Sequence, residues 1–238
     1  SPDKIRGCGI PAKEKFYRQE DRRRIAAKYG IKDSLFTVLV ITGAVGLGPI
    51  EEIVKALAGE VQLLVVCGKN KRLYQRLNAL ASRSLSVIAS DRRERSNLKN
   101  EIASSSREAG LLAMTNKFGL LKPFPLIDYV DELMSVADAV ATKAGGLTIT
   151  ESLAKGLPMV FFSNIPGLES ANARVLSENG CAFNTTSIAE IKQRVLSLKN
   201  NSALYQETVS RITRFRKSQT LMDITAEIKN LLTCRGEV

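Results

Sequence analysis

The 238-residue sequence contains no histidine and no tryptophan. Without an imidazole there is no His-ligated zinc, and neither a Ser-His-Asp nor a Cys-His arrangement can be built. Aromatic residues make up only 5% of the chain, too few for the stacking platforms that hold single-stranded nucleic acid. Nucleic acid is therefore not an expected partner. Cys8, Cys67, Cys181 and Cys234 show no metal-type spacing, and Cys67 closes an apolar run. They read as the reduced thiols of a cytoplasmic protein. No apolar run approaches the roughly 18–20 residues of a membrane span, and no signal peptide is visible. The chain opens on Ser-Pro without Met, and a fragment of a longer protein is expected.

Apolar residues, at 44%, are sufficient for a sizeable core. The net charge is +11 and unevenly spread. Residues 1–32 carry ten Lys/Arg and four Asp/Glu, and residues 82–122 carry eight and four. Basic patches of this kind suit an anionic membrane surface or, as a lesser reading, a nucleic acid; a solvated surface is the plainer alternative.

Apolar β-rich runs alternate with helical patterns. Strands are expected over Leu35–Thr42, Val61–Cys67, Ser84–Ala89, Leu126–Val130, Ala139–Thr142 and Leu157–Phe162. Helices are expected over Pro49–Leu57, Lys71–Ala81, Asp131–Ala137, Thr148–Lys155, Leu168–Glu178, Ile188–Leu198 and Ala203–Leu232. Strands apolar on both faces and joined by helices indicate an α/β fold, a doubly wound, mostly parallel, Rossmann-like sheet. Ligands of such sheets bind beyond the carboxyl ends of the strands. The Ser-rich basic stretch 82–122 reads as an insertion within a single domain spanning 1–238.

Two glycine motifs follow strands. Thr42-Gly-Ala-Val-Gly-Leu-Gly-Pro49 opens a helix, so Gly43 and Gly46 could admit a phosphate or a sugar. Its spacing is not that of a dinucleotide fingerprint or a P-loop, and a tight turn is the alternative. Gly145-Gly146-Leu-Thr148 carries the stronger signal. Amides of Gly146 and Leu147, with the Thr148 hydroxyl, could bind a diphosphate without metal, the alternative being ordinary helix capping. Lys143 could add charge there. Glu151, just over one turn along, could accept from both hydroxyls of a ribose. Glu169 and Asn172 follow the next strand at the same sheet edge, after the turn at Pro166-Gly167. Asp128 and Asp131 read as capping residues rather than a catalytic carboxylate pair.

With those residues in place, the chain resembles the C-terminal, donor-binding domain of monogalactosyldiacylglycerol synthases and processive diacylglycerol glucosyltransferases. The peptidoglycan undecaprenyl-linked N-acetylglucosaminyltransferase is a more distant relative. The landmarks run in family order from Gly9-Ile-Pro11 through Gly43–Pro49, Val65–Lys71, Ile127–Met134 and Thr142–Glu151 to Pro166–Asn172. Leu168 stands where the family usually has Gln, and Pro125 where it has Gly. The resemblance implies one half of a GT-B glycosyltransferase, with the acceptor domain and its catalytic base absent from this chain. It implies inverting, metal-independent transfer of a hexose from a UDP-sugar to a lipid such as diacylglycerol, with no cofactor. Ile127 would meet uracil through its backbone. Gly145, Gly146 and Thr148 would hold the diphosphate, Glu151 the ribose, and Glu169 and Asn172 the sugar. Gly43 and Gly46 would approach from the facing loop. Implied partners are the UDP-sugar, the lipid acceptor, an anionic membrane surface and an acceptor-binding domain or subunit. The implied location is cytoplasmic, peripheral at a bacterial inner membrane or plastid envelope. The other reading is a non-catalytic nucleotide-sugar-binding subunit that works with a separate membrane partner.

Overall fold

The structure is a computed structural model that describes residues 9–82, 117–162, 167–216 and 220–233. A six-stranded, wholly parallel sheet forms its centre. The strands are β1 (Thr37–Ile41), β2 (Gln62–Val66), β3 (Leu121–Phe124), β4 (Ala139–Thr142), β5 (Met159–Phe161) and β6 (Ala182–Asn184), in the order β3-β2-β1-β4-β5-β6. This is the doubly wound order, which reverses direction between β1 and β4.

The segments TVLVI and QLLVV form the centre because every residue in them can be buried on either face. Alternation then sorts the side chains. Val38, Val40, Leu63, Val65, Ala139 and Ala141 enter one core. The helices over that face are α2 (Ile50–Leu57), α3 (71–82) and α7 (Ile188–Asn200). Leu39, Ile41, Leu64, Val66 and Val140 enter the opposite core, with α1 (Arg22–Tyr29) and α4 (Val130–Val136). Met159 and Phe161 extend the second layer beneath α5 (Gly146–Lys155), α6 (Leu168–Glu178) and α8 (Ser202–Phe215). A last helix, α9 (Thr220–Thr233), follows.

The edge strand differs from expectation. Residues 126–129 are the loop after β3, and the strand itself is Leu121–Phe124, part of which lies inside the stretch read as an insertion. Pro123 hides it from a periodicity search, yet a proline is tolerated at a sheet edge, where one side of the strand needs no N–H partner. The strand expected over Ser84–Ala89 and the core of the 82–122 stretch lie outside the described residues. The long helical pattern Ala203–Leu232 divides into α8 and α9, and α1 and β6 are additional. α1 is bounded by local chemistry. The Asp21 carboxylate accepts from the amides of Arg23 and Arg24, and Gly30 closes the helix at φ 60°.

The amino edge of the sheet is tied by polar side chains. The Thr37 amide donates to Asp138 at 2.7 Å, and Arg22 reaches the same carboxylate at 3.1 Å. Gln62 donates to the Thr37 hydroxyl at 2.8 Å and accepts from the Lys32 amide at 2.9 Å. Replacing Asp138 with Ala strands the β1 amide and leaves the Arg22 guanidinium only its pair with Asp33 at 2.8 Å. The expected cost is about 1–3 kcal/mol, measured as a lower urea midpoint at unchanged slope. An unchanged midpoint would remove Asp138 from the sheet's anchoring.

Candidate functional site

The opposite, carboxyl edge is where the chain leaves its polar groups open. The loops that emerge there include those after β1 (42–49), β2 (67–70), β3 (125–129) and β4 (143–145). The reversal between β1 and β4 parts the first from the last and leaves a crevice.

α5 starts at Gly146, two residues earlier than the sequence pattern suggests. Gly145 is its N-cap in extended conformation, and no side chain caps the helix. The amides of Gly146, Leu147 and Thr148 therefore form the first turn, with the positive end of the helix dipole behind them. An added Cβ at Gly145 would come within 3.9 Å of a Glu169 carboxylate oxygen. Side chains at this step would screen the helix end from a ligand.

The start of α6 meets the start of α5. Lys143 pairs with Glu169 at 3.0 Å, and the Asn172 side-chain amide donates to the Ala144 carbonyl at 3.1 Å. Gly145, Glu169 and Asn172 are thus brought to one place, with Lys143 as the cation that sets the Glu169 carboxylate. The sequence leaves Lys143 as either added charge or a solvated side chain; its position one residue past β4 is the signal that it faces the same edge.

Glu151 sits half-buried on α5. Burial pushes its carboxyl above the ordinary range; Lys15 and Lys13 pull it back, and Asp131 pushes it up further. The two lysines come from a strap over residues 9–20 that precedes α1, and Asp131 from α4. Lys15 donates to the Asp128 carbonyl and pairs with Asp131, and Lys155 of α5 donates to the Arg18 carbonyl at 3.0 Å. The capping role expected of Asp128 and Asp131 is not found. The N-cap of α4 is Tyr129, with no side-chain cap, while Asp131 is occupied by Lys15. The strap's approach to the crevice was not read from the sequence, although Gly9-Ile-Pro11 marks it.

The two loop glycines part company. At Gly43, φ 76°, a Cβ would meet nothing within 4 Å, so the backbone faces open space. Gly46, φ 67°, is buried, and a Cβ there would fall 2.0 Å from the Cys67 carbonyl oxygen. The Asn70 side chain and the Lys69 amide bind the same loop, through Gly46 O at 3.2 Å and Ala44 O at 2.8 Å. Gly46 locks the β1 loop to the β2 loop, and Gly43 is the one left facing outward. Ile127 is half-buried, its side chain against the α1–α4 core. Thr148 lies half-buried in the first turn of α5.

Comparison with known proteins bears on the family and the fold. The sequence profile of the glycosyltransferase family 28 C-terminal domain matches residues 37–222. The chain is 27% identical over 238 residues to a processive diacylglycerol beta-glucosyltransferase of Bacillus pumilus, covering 98% of this chain and 54% of that protein. It is 26% identical over 240 residues to monogalactosyldiacylglycerol synthase 1, chloroplastic, of Arabidopsis thaliana, covering 96% of this chain and 38% of that one. The chain thus spans about half, or less, of the length of these relatives. The fold matches the crystal structure of Acinetobacter baumannii MurG with a TM-score of 0.56 at 17% identity, over 93% of this chain and 57% of that one.

Two outcomes follow for this edge. Gly43→Ala is expected to cost about 1–2 kcal/mol, the strain of a left-handed alanine. Gly46→Ala adds a clash with backbone and is expected to cost about 2–5 kcal/mol. Equal denaturation midpoints for the two variants would contradict the interlocked loops. Glu151 carries the second. Its raised folded-state pKa means that the folded chain binds a proton more readily than the unfolded chain, so stability falls as pH rises through the window just above the ordinary carboxylate value. Glu151→Gln should therefore raise the melting temperature of the ligand-free chain at pH 7. The gain should vanish at acid pH, where the carboxyl is neutral in both states. A pH-independent gain would assign it to something other than desolvation.

Proposed function

The chain belongs to glycosyltransferase family 28, and from that premise we propose that it is the donor-binding half of an enzyme that moves a hexose from a UDP-sugar to the hydroxyl of a lipid such as diacylglycerol. The observation that carries the reading is the uncapped start of α5, with Glu169 and Asn172 held beside it and Glu151 one turn on. Two relatives bear names that state action on, or synthesis of, diacylglycerol lipids, which supports a lipid acceptor. Val45, Leu47, Leu126, Leu147 and Leu168 are exposed around the crevice, and such a rim fits a second domain that closes over the bound donor.

In this reading the diphosphate accepts from the amides of Gly146 and Leu147 and from the Thr148 hydroxyl. Ribose hydroxyls donate to Glu151. The hexose lies at Glu169 and Asn172, and uracil meets the Ile127 backbone. Gly43, with its open face, approaches from the opposite loop. The acceptor oxygen attacks the anomeric carbon from the side opposite the phosphate, with inversion, and gives its proton to a base in the acceptor half. The bond to phosphate breaks, and the departing UDP keeps the electron pair. Charge then builds on the oxygen beside the α5 amides. Preorganised dipoles stabilise it there without reorganising, so the work of a divalent cation is done by backbone. Among the described residues no three His, Cys, Asp or Glu side chains gather as a metal site. Among them, too, no helix is long and apolar enough to cross a membrane. Attachment to a lipid surface would be peripheral and helped by the basic residues of 1–32.

Calorimetric titration in EDTA should show UDP binding to the folded chain. Glu151→Ala should weaken UDP by roughly 1.5–3 kcal/mol for each charged hydrogen bond lost, while 2′,3′-dideoxy-UDP loses little. An absence of UDP binding at millimolar nucleotide would sink the donor-site reading, and equal losses for both nucleotides would detach Glu151 from the ribose.

A further inference from the structure

One aromatic side chain holds both ends of the loop that follows β3. Tyr29, the last residue of α1, stacks on Tyr129 with ring centroids 5.4 Å apart and planes 16° apart. It also meets Phe124, the last residue of β3, edge to face at 5.9 Å and 82°. Phe124 and Tyr129 bracket residues 125–128, so a single ring spans the loop. That ring is itself fixed. The Tyr29 hydroxyl donates to Glu132, on the first turn of α4, at 2.8 Å, and Lys28 donates to the same carboxylate oxygen at 2.6 Å. The Lys28 ammonium lies 5.0 Å from the centre of the Tyr29 ring and 5.9 Å from that of Tyr129. Burial and the Glu132 carboxylate push the Tyr29 hydroxyl up to about 12, so it stays a donor at neutral pH.

A further tie comes from the strap, where Lys15 donates to the Asp128 carbonyl. The Ile127 side chain is packed into the α1–α4 core, which leaves its backbone to meet a ligand. Uracil offers an N3–H donor and an O4 acceptor. Cytosine offers the reverse, an acceptor at N3 and a donor at N4. Backbone groups tell the two apart only while they stay in place, because hydrogen bonds weaken steeply as distance and angle drift. The elements on either side do not need the clamp to form. β3 already pairs with β2 from Leu121 to Phe124, and α1 and α4 share a buried core of Ile25, Ala26, Leu133 and Met134. What the Tyr29 contacts add is the shape of the loop between them.

We infer that Tyr29 is a positioning residue for the base of the nucleotide: by clamping Phe124 and Tyr129 it fixes the Ile127 backbone so that uracil is accepted and cytosine refused. The inference rests on the proposed function for the placing of uracil at Ile127, and goes beyond it by naming what makes that placing selective. Tyr29 acts through the loop and touches no ligand. Selectivity at the crevice therefore depends on α1, an element that lies outside it.

The test is calorimetric titration of the chain and its variants with UDP, CDP and inorganic pyrophosphate. The parent should prefer UDP to CDP by roughly tenfold or more. Tyr29→Leu removes both ring contacts. It should weaken UDP roughly tenfold, bring the UDP and CDP affinities together, and leave pyrophosphate unchanged, since the start of α5 is untouched. Tyr29→Phe keeps both rings in contact and should restore most of the preference. Tyr129→Leu removes the stack from the loop side and should give the same result if Tyr29→Leu folds poorly. Equal losses for UDP, CDP and pyrophosphate, or a preference unchanged in both folded Leu variants, would overturn the clamp and leave Tyr29 as packing. A parent that binds UDP and CDP alike overturns the clamp while the donor site stands. A folded parent that binds no UDP rejects the donor-site reading, and the clamp with it.

Discussion

Strand β1 pairs in parallel with β2 on one side and with β4 on the other, and the rest of the structure hangs on that double pairing. A strand buried on both faces and paired on both edges has no exposed backbone, so it needs a sequence such as TVLVI. Parallel pairing forces every connection to run back across a face as a helix. All carboxyl ends of strands then collect on one edge. Because β2 and β4 lie on opposite sides of β1, the loops that leave β1 and β4 diverge, and a gap opens at their junction. The position of the crevice is thus a consequence of strand order.

The two edges of the sheet are treated oppositely. At the amino edge, Asp138, Arg22, Gln62 and Thr37 satisfy one another across α1, β1 and β2. At the carboxyl edge, glycines stand where side chains would block approach, and α5 starts without a cap. A helix start left uncapped forgoes roughly 0.5–2 kcal/mol, and a desolvated Glu151 adds to that deficit. The saturated edge supplies stability that the open edge does not.

The sequence pattern made most of this legible. Central strands and the helices after β4 and β5 stand out because burial on both faces leaves continuous apolar runs, and because the glycine pair at 145–146 and Pro166-Gly167 punctuate them. The edge strand Leu121–Phe124 was not legible. An edge strand is half-buried, and Lys122 and Pro123 erase its alternation, so the more apolar Leu126–Val130 drew the assignment. Within the site, Gly145, Glu169 and Asn172 were readable from strand-to-helix junctions. The division of labour between Gly43 and Gly46 was not, since it depends on a contact with Cys67, 21 positions away from Gly46 in the numbering. The strap escaped for the same reason. Lys15 and Asp131 meet only because α4 follows β3 in space, and without that partner in view Asp131 reads as a cap.

On the proposed function, the charges at the crevice are ones that a nucleotide sugar would complete. Glu151 is desolvated, with two lysines of the strap acting on it through space. Glu169 is held by Lys143 within reach of Gly145. A diphosphate laid across the start of α5 would bring two negative charges beside Lys143 and the helix dipole, and would loosen the hold of Lys143 on Glu169. On the proposed function, that carboxylate would accept from sugar hydroxyls as the phosphate took up Lys143. The ribose would in turn give Glu151 the donors it lacks, and would offset the cost of keeping a charge in a half-buried place. On the proposed function, binding energy of this kind would grow as charge moved onto a diphosphate departing beside the α5 amides and Lys143.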